Sequence, residues 1–68
     1  MKLLSIVVPV FNEQEVLPAF YAELAAMMRE LPEQVELIFV NDGSRDRTPE
    51  VLRELRRADE RVKIIHFS

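Results

Sequence analysis

Three short apolar runs, interleaved with two stretches of helical spacing, set the tightest constraint on how this chain can fold. Leu3–Val8, Val35–Val40 and Val62–Phe67 read as strands rich in Val, Ile and Phe. Their near-continuous apolar character, rather than alternation, suits strands buried on both faces of a parallel sheet. Pro9 closes the first run. Residues 17–31 read as a helix, because Leu17, Phe20, Leu24, Met28 and Leu31 recur at three- and four-residue steps, flanked by Tyr21 and Met27. Pro18 suits a first helical turn, where its missing N–H is harmless, and Pro32 ends the element. An alternative start makes Asn12 the N-cap with Glu15 closing a capping box, but it puts Pro18 inside the helix. The second helix opens at Thr48-Pro49-Glu50, with Thr48 as N-cap, Pro49 at the first position and an acid in the first turn. It runs to about Asp59, with Val51, Leu52, Leu55 and Ala58 facing inward and Arg53, Glu54, Arg56 and Arg57 facing out.

The resulting order is β-α-β-α-β, half of a doubly wound, mostly parallel α/β sheet with right-handed crossovers. No internal repeat, low-complexity tract or linker interrupts it. At 68 residues the chain is at most one domain and suits an incomplete one. A chain of this size buries only ~60% of the surface its unfolded form exposes. Small chains often add disulfides or a structural metal, but Cys is absent and His66 is the only His, so neither a disulfide framework nor a zinc knuckle is available.

Charge and hydropathy exclude further classes. The net charge of −3 argues against a nucleic-acid binder, which would show a basic patch. Residues 41–68 hold seven basic and six acidic groups and read as solvated surface. The longest near-apolar run, Leu3 to Phe11, is nine residues, whereas a bilayer span needs ~20. It is not read as a signal-peptide core, because Pro9 interrupts it and Asn12-Glu13-Gln14-Glu15 follows where small residues and a cleavage site belong.

Ligands of open α/β sheets bind beyond the carboxyl ends of the strands. Two loops meet that condition: Pro9-Val10-Phe11-Asn12-Glu13 after the first strand and Asn41-Asp42-Gly43-Ser44-Arg45-Asp46 after the second. With the strands adjacent, the loops would wall one cleft. Neither a three-glycine dinucleotide fingerprint nor a P-loop is present. Carboxylates and amides here suit donors such as a nucleobase N–H or ribose hydroxyls, or would help hold a metal. Gly43, the only glycine, marks a position of positive φ, and Ser44 closes the turn. Asp42 alone would pass for an ordinary turn residue, but the Pro9–Glu13 loop beside it points to binding; Glu13 by itself reads as a solvated loop acid. Asn12 reads equally as a cap or a site residue. Arg45 and Arg47 read as solvated, Met27 and Met28 as core filler, and His66 as a lone histidine without a partner at a useful spacing.

S-I-V-V-P-V-F-N-E at residues 5–13 and E-L-I-F-V-N-D-G-S-R-D-R-T at 36–48 carry a resemblance. With a helix between them, they resemble the start of a family-2 inverting glycosyltransferase of the glycosyltransferase A-type fold, closest to the polyprenyl-phosphate (dolichyl- or undecaprenyl-phosphate) branch. The resemblance covers essentially the whole chain and implies the nucleotide-binding part of an enzyme that moves a sugar from a UDP- or GDP-sugar to a polyprenyl phosphate. Pro9 and Phe11 match positions that frame the base and ribose, although the family more often has Tyr at the second. Glu13 matches an acid that hydrogen-bonds the nucleotide, Val40 a backbone contact beside the base, and Asp42 the aspartate that accepts the base imide N–H. Asn41 stands where many members have the first Asp of D-D-G-S. The family implies Mg²⁺ or Mn²⁺, but its D-x-D motif has no match here, so no metal ligand and no catalytic residue is assigned to this chain. It also implies a cytoplasmic location, with the longer enzyme at the cytoplasmic face of a membrane. The rival reading is a non-catalytic minimal α/β module that folds or self-associates, since an uncovered sheet edge invites pairing with a second copy. A flavodoxin-like receiver domain is disfavoured, because the third strand ends His66-Phe67-Ser68 rather than in an aspartate.

Overall fold

The structure is a computed structural model and describes residues 2–67. Its elements run β1 (Leu3–Val10), α1 (Leu17–Arg29), β2 (Gln34–Asp42), α2 (Thr48–Ala58) and β3 (Val62–Phe67). The strands form one sheet in the order β1-β2-β3, with both neighbouring pairs parallel. This is the β-α-β-α-β half of a doubly wound sheet that the apolar rhythm predicts. Among the described residues no helix is long and apolar enough to cross a membrane.

Strand register explains the core. Ile6, Leu37 and Val62 share one row; Val8, Phe39 and Ile64 the next; Val10, Asn41 and His66 the third. Side chains alternate across a strand, so all of these lie on one face. Val10, Leu37, Phe39 and Val62 are buried there against Leu17 and Met28 of α1 and Leu52 of α2. The other face carries Val7, Pro9, Ile38, Val40, Ile65 and Phe67, and Val7 remains 59% exposed. Burial on both faces, expected from the apolar runs, is therefore not found within this chain. The physical reason is topological. With the order β1-β2-β3, both right-handed crossovers step in the same direction and lay both helices on the same side.

Several boundaries also shift. β1 continues through Pro9 to Val10, since an edge strand tolerates a residue with no N–H to donate. β2 continues through Asn41 and Asp42, which the turn signal had placed in a loop. α1 stops at Arg29; the Glu30 and Leu31 amides then bond back three residues to Met27 and Met28, tightening the last turn. Phe20 is 41% and Met27 47% exposed, and Ala58 is exposed, so none of the three is in the core as the sequence suggested.

A partly buried cluster joins α1 to the turn before β3. The Tyr21 hydroxyl donates to Asp59 Oδ2 at 2.5 Å, and the Arg61 guanidinium grips the same carboxylate at 2.8 and 2.9 Å. Arg61 thus holds the Asp59 carboxyl well below the usual carboxylate range against the effect of partial burial, helped by Tyr21. Burial, reinforced by the neighbouring Asp59, raises the Tyr21 hydroxyl.

Candidate functional site

The two loops predicted to carry the site emerge side by side, because β1 and β2 are register neighbours with Val10 opposite Asn41. They are tied together rather than held apart by a cleft. Asn12 N–H donates to Ser44 Oγ at 3.0 Å, and Asn12 Oδ1 accepts Arg45 N–H at 2.7 Å and Asp46 N–H at 3.4 Å. Gln14 repeats the exchange: its N–H donates to Asp46 Oδ2 at 3.3 Å, and its Oε1 accepts Arg47 N–H at 2.7 Å. Between them, Glu13 N–H donates to Thr48 Oγ1 at 2.9 Å. These side-chain bonds replace the strand ladder where it ends, satisfying loop amides that would otherwise need water.

Asn12 reaches this position through a left-handed backbone, φ 50°, a conformation that Asn adopts more readily than most residues. It does not cap α1, whose N-cap is Val16 without a side-chain bond. Gly43 has φ 71°, as the turn signal requires. Thr48 does not cap α2 either. Arg47 is the N-cap without a side-chain bond, and the Thr48 hydroxyl accepts Glu13 N–H rather than an amide of its own helix. Asp46 takes over part of that task by accepting Thr48 N–H at 2.9 Å. Although desolvation works in the opposite direction, hydrogen bonds from Thr48 and Gln14 hold the Asp46 carboxyl below its ordinary value.

The predicted binding residues fall into two groups. Pro9 and Val40 are register partners on the open face, and Asp42 follows two residues beyond Val40 on that same face, opposite Phe67. Asp42 is exposed, and among the described residues its carboxylate makes no hydrogen bond or ion pair. Glu13 is half-buried and shares with Pro9 an open hollow of about 240 Å³, walled by Val8, Val16, Leu17 and Phe20. A second hollow of about 650 Å³ lies where Glu13, Gln14 and Glu15 face Asp46. Phe11, 56% exposed, lines neither hollow, nor does Asp42. A further hollow beside Gln34, Val35 and Arg61 lies at the amino ends of the strands, the end that open α/β sheets do not use for ligands.

Sequence reasoning missed two participants. Asn41 is 4% exposed and points to the helix side, where its Oδ1 accepts Ser44 N–H at 3.2 Å and its Nδ2 stands 3.1 Å from His66 Nδ1. His66 therefore has a partner, one supplied by the adjacent strand rather than by local spacing. The only available signal was the shared position of both residues near the carboxyl ends of their strands. Among the described residues no group of three His, Cys, Asp or Glu side chains could hold a metal ion. They supply no ligand set for the Mg²⁺ or Mn²⁺ that the resemblance implies, and no step is assigned to a metal.

The three parallel strands and two helices in β-α-β-α-β order are the arrangement of the N-terminal half of a glycosyltransferase A-type fold. The family model described as glycosyl transferase family 2 matches residues 5–68, and the chain belongs to that family. It is 55% identical over 64 residues to "Uncharacterized glycosyltransferase YkcC" of Bacillus subtilis (strain 168), covering 94% of this chain and 20% of that protein. It is 40% identical over 65 residues to "Bactoprenol glucosyl transferase" of Shigella phage SfV, covering 96% and 21%. It is also 40% identical over 52 residues to "Undecaprenyl-phosphate 4-deoxy-4-formamido-L-arabinose transferase" of Photorhabdus laumondii, covering 76% and 16%. The chain thus resembles polyprenyl-phosphate glycosyltransferases and spans about a fifth of the length of these relatives.

Proposed function

We propose that residues 1–68 form the nucleotide-sugar-binding portion of an inverting glycosyltransferase that moves a sugar from a UDP- or GDP-sugar to a polyprenyl phosphate. The observation that carries this reading is the Asp42 carboxylate, unpartnered among the described residues, at the carboxyl end of β2 on the same sheet face as Pro9 and Val40. A carboxylate without a protein partner is an acceptor awaiting a donor, and the imide N–H of uracil or the N–H edge of guanine supplies one. Pro9 and Phe11 would frame the base and ribose, the Val40 backbone would lie beside the base, and Glu13 would accept from the nucleotide. The polyprenyl acceptor is supported by relatives whose names specify bactoprenol and undecaprenyl phosphate. No residue of this chain is assigned a catalytic role.

The test is calorimetric titration of UDP and of GDP against the full-length protein and its Asp42→Ala variant. One nucleotide is expected to bind, and the variant to bind it about tenfold or more weakly, the scale of a lost charge-assisted hydrogen bond. Unchanged affinity would remove Asp42 from the site.

A further inference from the structure

We propose that His66 is a positioning residue for the nucleotide-binding turn, acting through the buried side chain of Asn41. This rests on the reading of the site as nucleotide-binding and adds a member from the third strand. His66 and Asn41 are register partners on β3 and β2, and both project to the helix side. The orientation of the Asn41 amide follows from its other contact. Ser44 N–H can only be accepted by an oxygen, so Oδ1 faces Ser44 and Nδ2 faces His66. An amide NH₂ can only donate, so His66 Nδ1 is the acceptor and the imidazole proton sits on Nε2.

From there the bonds continue without a break. His66 fixes Asn41, Asn41 closes the turn through Ser44 N–H, and Ser44 Oγ accepts Asn12 N–H from the loop after β1. Three strand ends are joined through three side chains and the Asn12 amide, and Asp42 is the residue immediately after Asn41. Removing the His66 acceptor leaves the Asn41 NH₂ without a partner in a site that is 4% exposed. Such a group is driven to rotate toward another acceptor, and rotation takes Oδ1 away from Ser44. His66 itself is exposed, so its contribution lies in this one bond rather than in packing.

The experiment compares His66→Leu and His66→Asn in the full-length protein, by UDP and GDP titration and by hydrogen–deuterium exchange of the segment 41–47. Leucine offers no acceptor, whereas the shorter amide of Asn sets its oxygen near the place of Nδ1. The expected result for His66→Leu is nucleotide affinity about five- to tenfold weaker and exchange at Ser44 faster by a similar factor, the scale of a buried donor left unpaired. His66→Asn should return both to within about twofold of wild type. Unchanged exchange in His66→Leu would overturn the brace. Faster exchange with unchanged affinity would overturn its positioning role, as would failure of Asn to rescue. If the wild-type protein binds neither nucleotide, the nucleotide reading falls, and the positioning role with it. The exchange data would still report separately whether His66 holds the turn.

Discussion

Glu13 and Thr48, 35 residues apart in sequence, meet through a 2.9 Å hydrogen bond from the Glu13 amide to the hydroxyl of a fully buried threonine. This bond links the loop after β1 to the first residue of α2. It explains why a threonine placed like an N-cap does not act as one. It also makes the loop and the helix start a single unit, so disturbance of either should be felt by both.

Thr48→Val keeps the shape of the side chain and removes the hydroxyl, both as acceptor for Glu13 N–H and as donor toward Asp46. We expect a loss of about 1 kcal/mol in unfolding free energy, measured by urea denaturation, and near-wild-type stability in Thr48→Ser. Equal stability of the valine variant would show that water satisfies Glu13 N–H just as well.

Asn12 combines a positive φ with a side chain that accepts two amides. Asn12→Gly tolerates the backbone but loses the acceptor, whereas Asn12→Ala loses the acceptor and strains the backbone. Glycine should destabilise by about 1 kcal/mol and alanine by roughly 1 kcal/mol more. The difference between the two midpoints isolates the backbone contribution.

Gly43→Ala addresses a backbone effect with little steric component. A Cβ built there would meet the Phe67 carbonyl oxygen at 3.8 Å, an ordinary contact, but φ of +71° disfavours a side chain. Denaturation should show a loss of about 1–2 kcal/mol, with Gly43→Asn less affected. An alanine variant as stable as wild type would mean that the turn relaxes to negative φ.

Acid stability should depend on Asp59. Its folded carboxyl ionises well below the usual range, so the stability it contributes is complete above about pH 4 and is lost as the pH falls. Asp59→Asn should be less stable than wild type at pH 7, and the gap should narrow at pH 3, read from denaturation midpoints at both values. A gap that is independent of pH would assign the effect to packing rather than to the charge on Arg61.

Much of the fold could be read from local pattern. The three strands and two helices lie where apolar runs and three- and four-residue spacing put them, because propensity and amphipathicity are properties of neighbouring residues. The positive φ at Gly43 was likewise visible, since a lone glycine in an Asn-Asp-Gly-Ser turn has one obvious use. Asn41 and Asp42 were misplaced in a loop because turn propensity is local, whereas their inclusion in β2 depends on β1 and β3 lying alongside. Phe20, Met27 and Ala58 were misread as core because helical spacing shows which side of a helix faces inward, not which of its residues neighbouring elements cover.

The candidate site divides along the same line. Sequence alone supplied its residue types, its place after the first two strands and its membership of a recognisable family, since each depends on identity and spacing along the chain. Tertiary structure alone decided that Asn12 and Gln14 fasten one loop to the other, that Thr48 serves Glu13 rather than its own helix, and that His66 has Asn41 as a partner. These pairings lie 25 to 35 residues apart in sequence. They form only when parallel register aligns the strand ends, and no local propensity encodes that alignment.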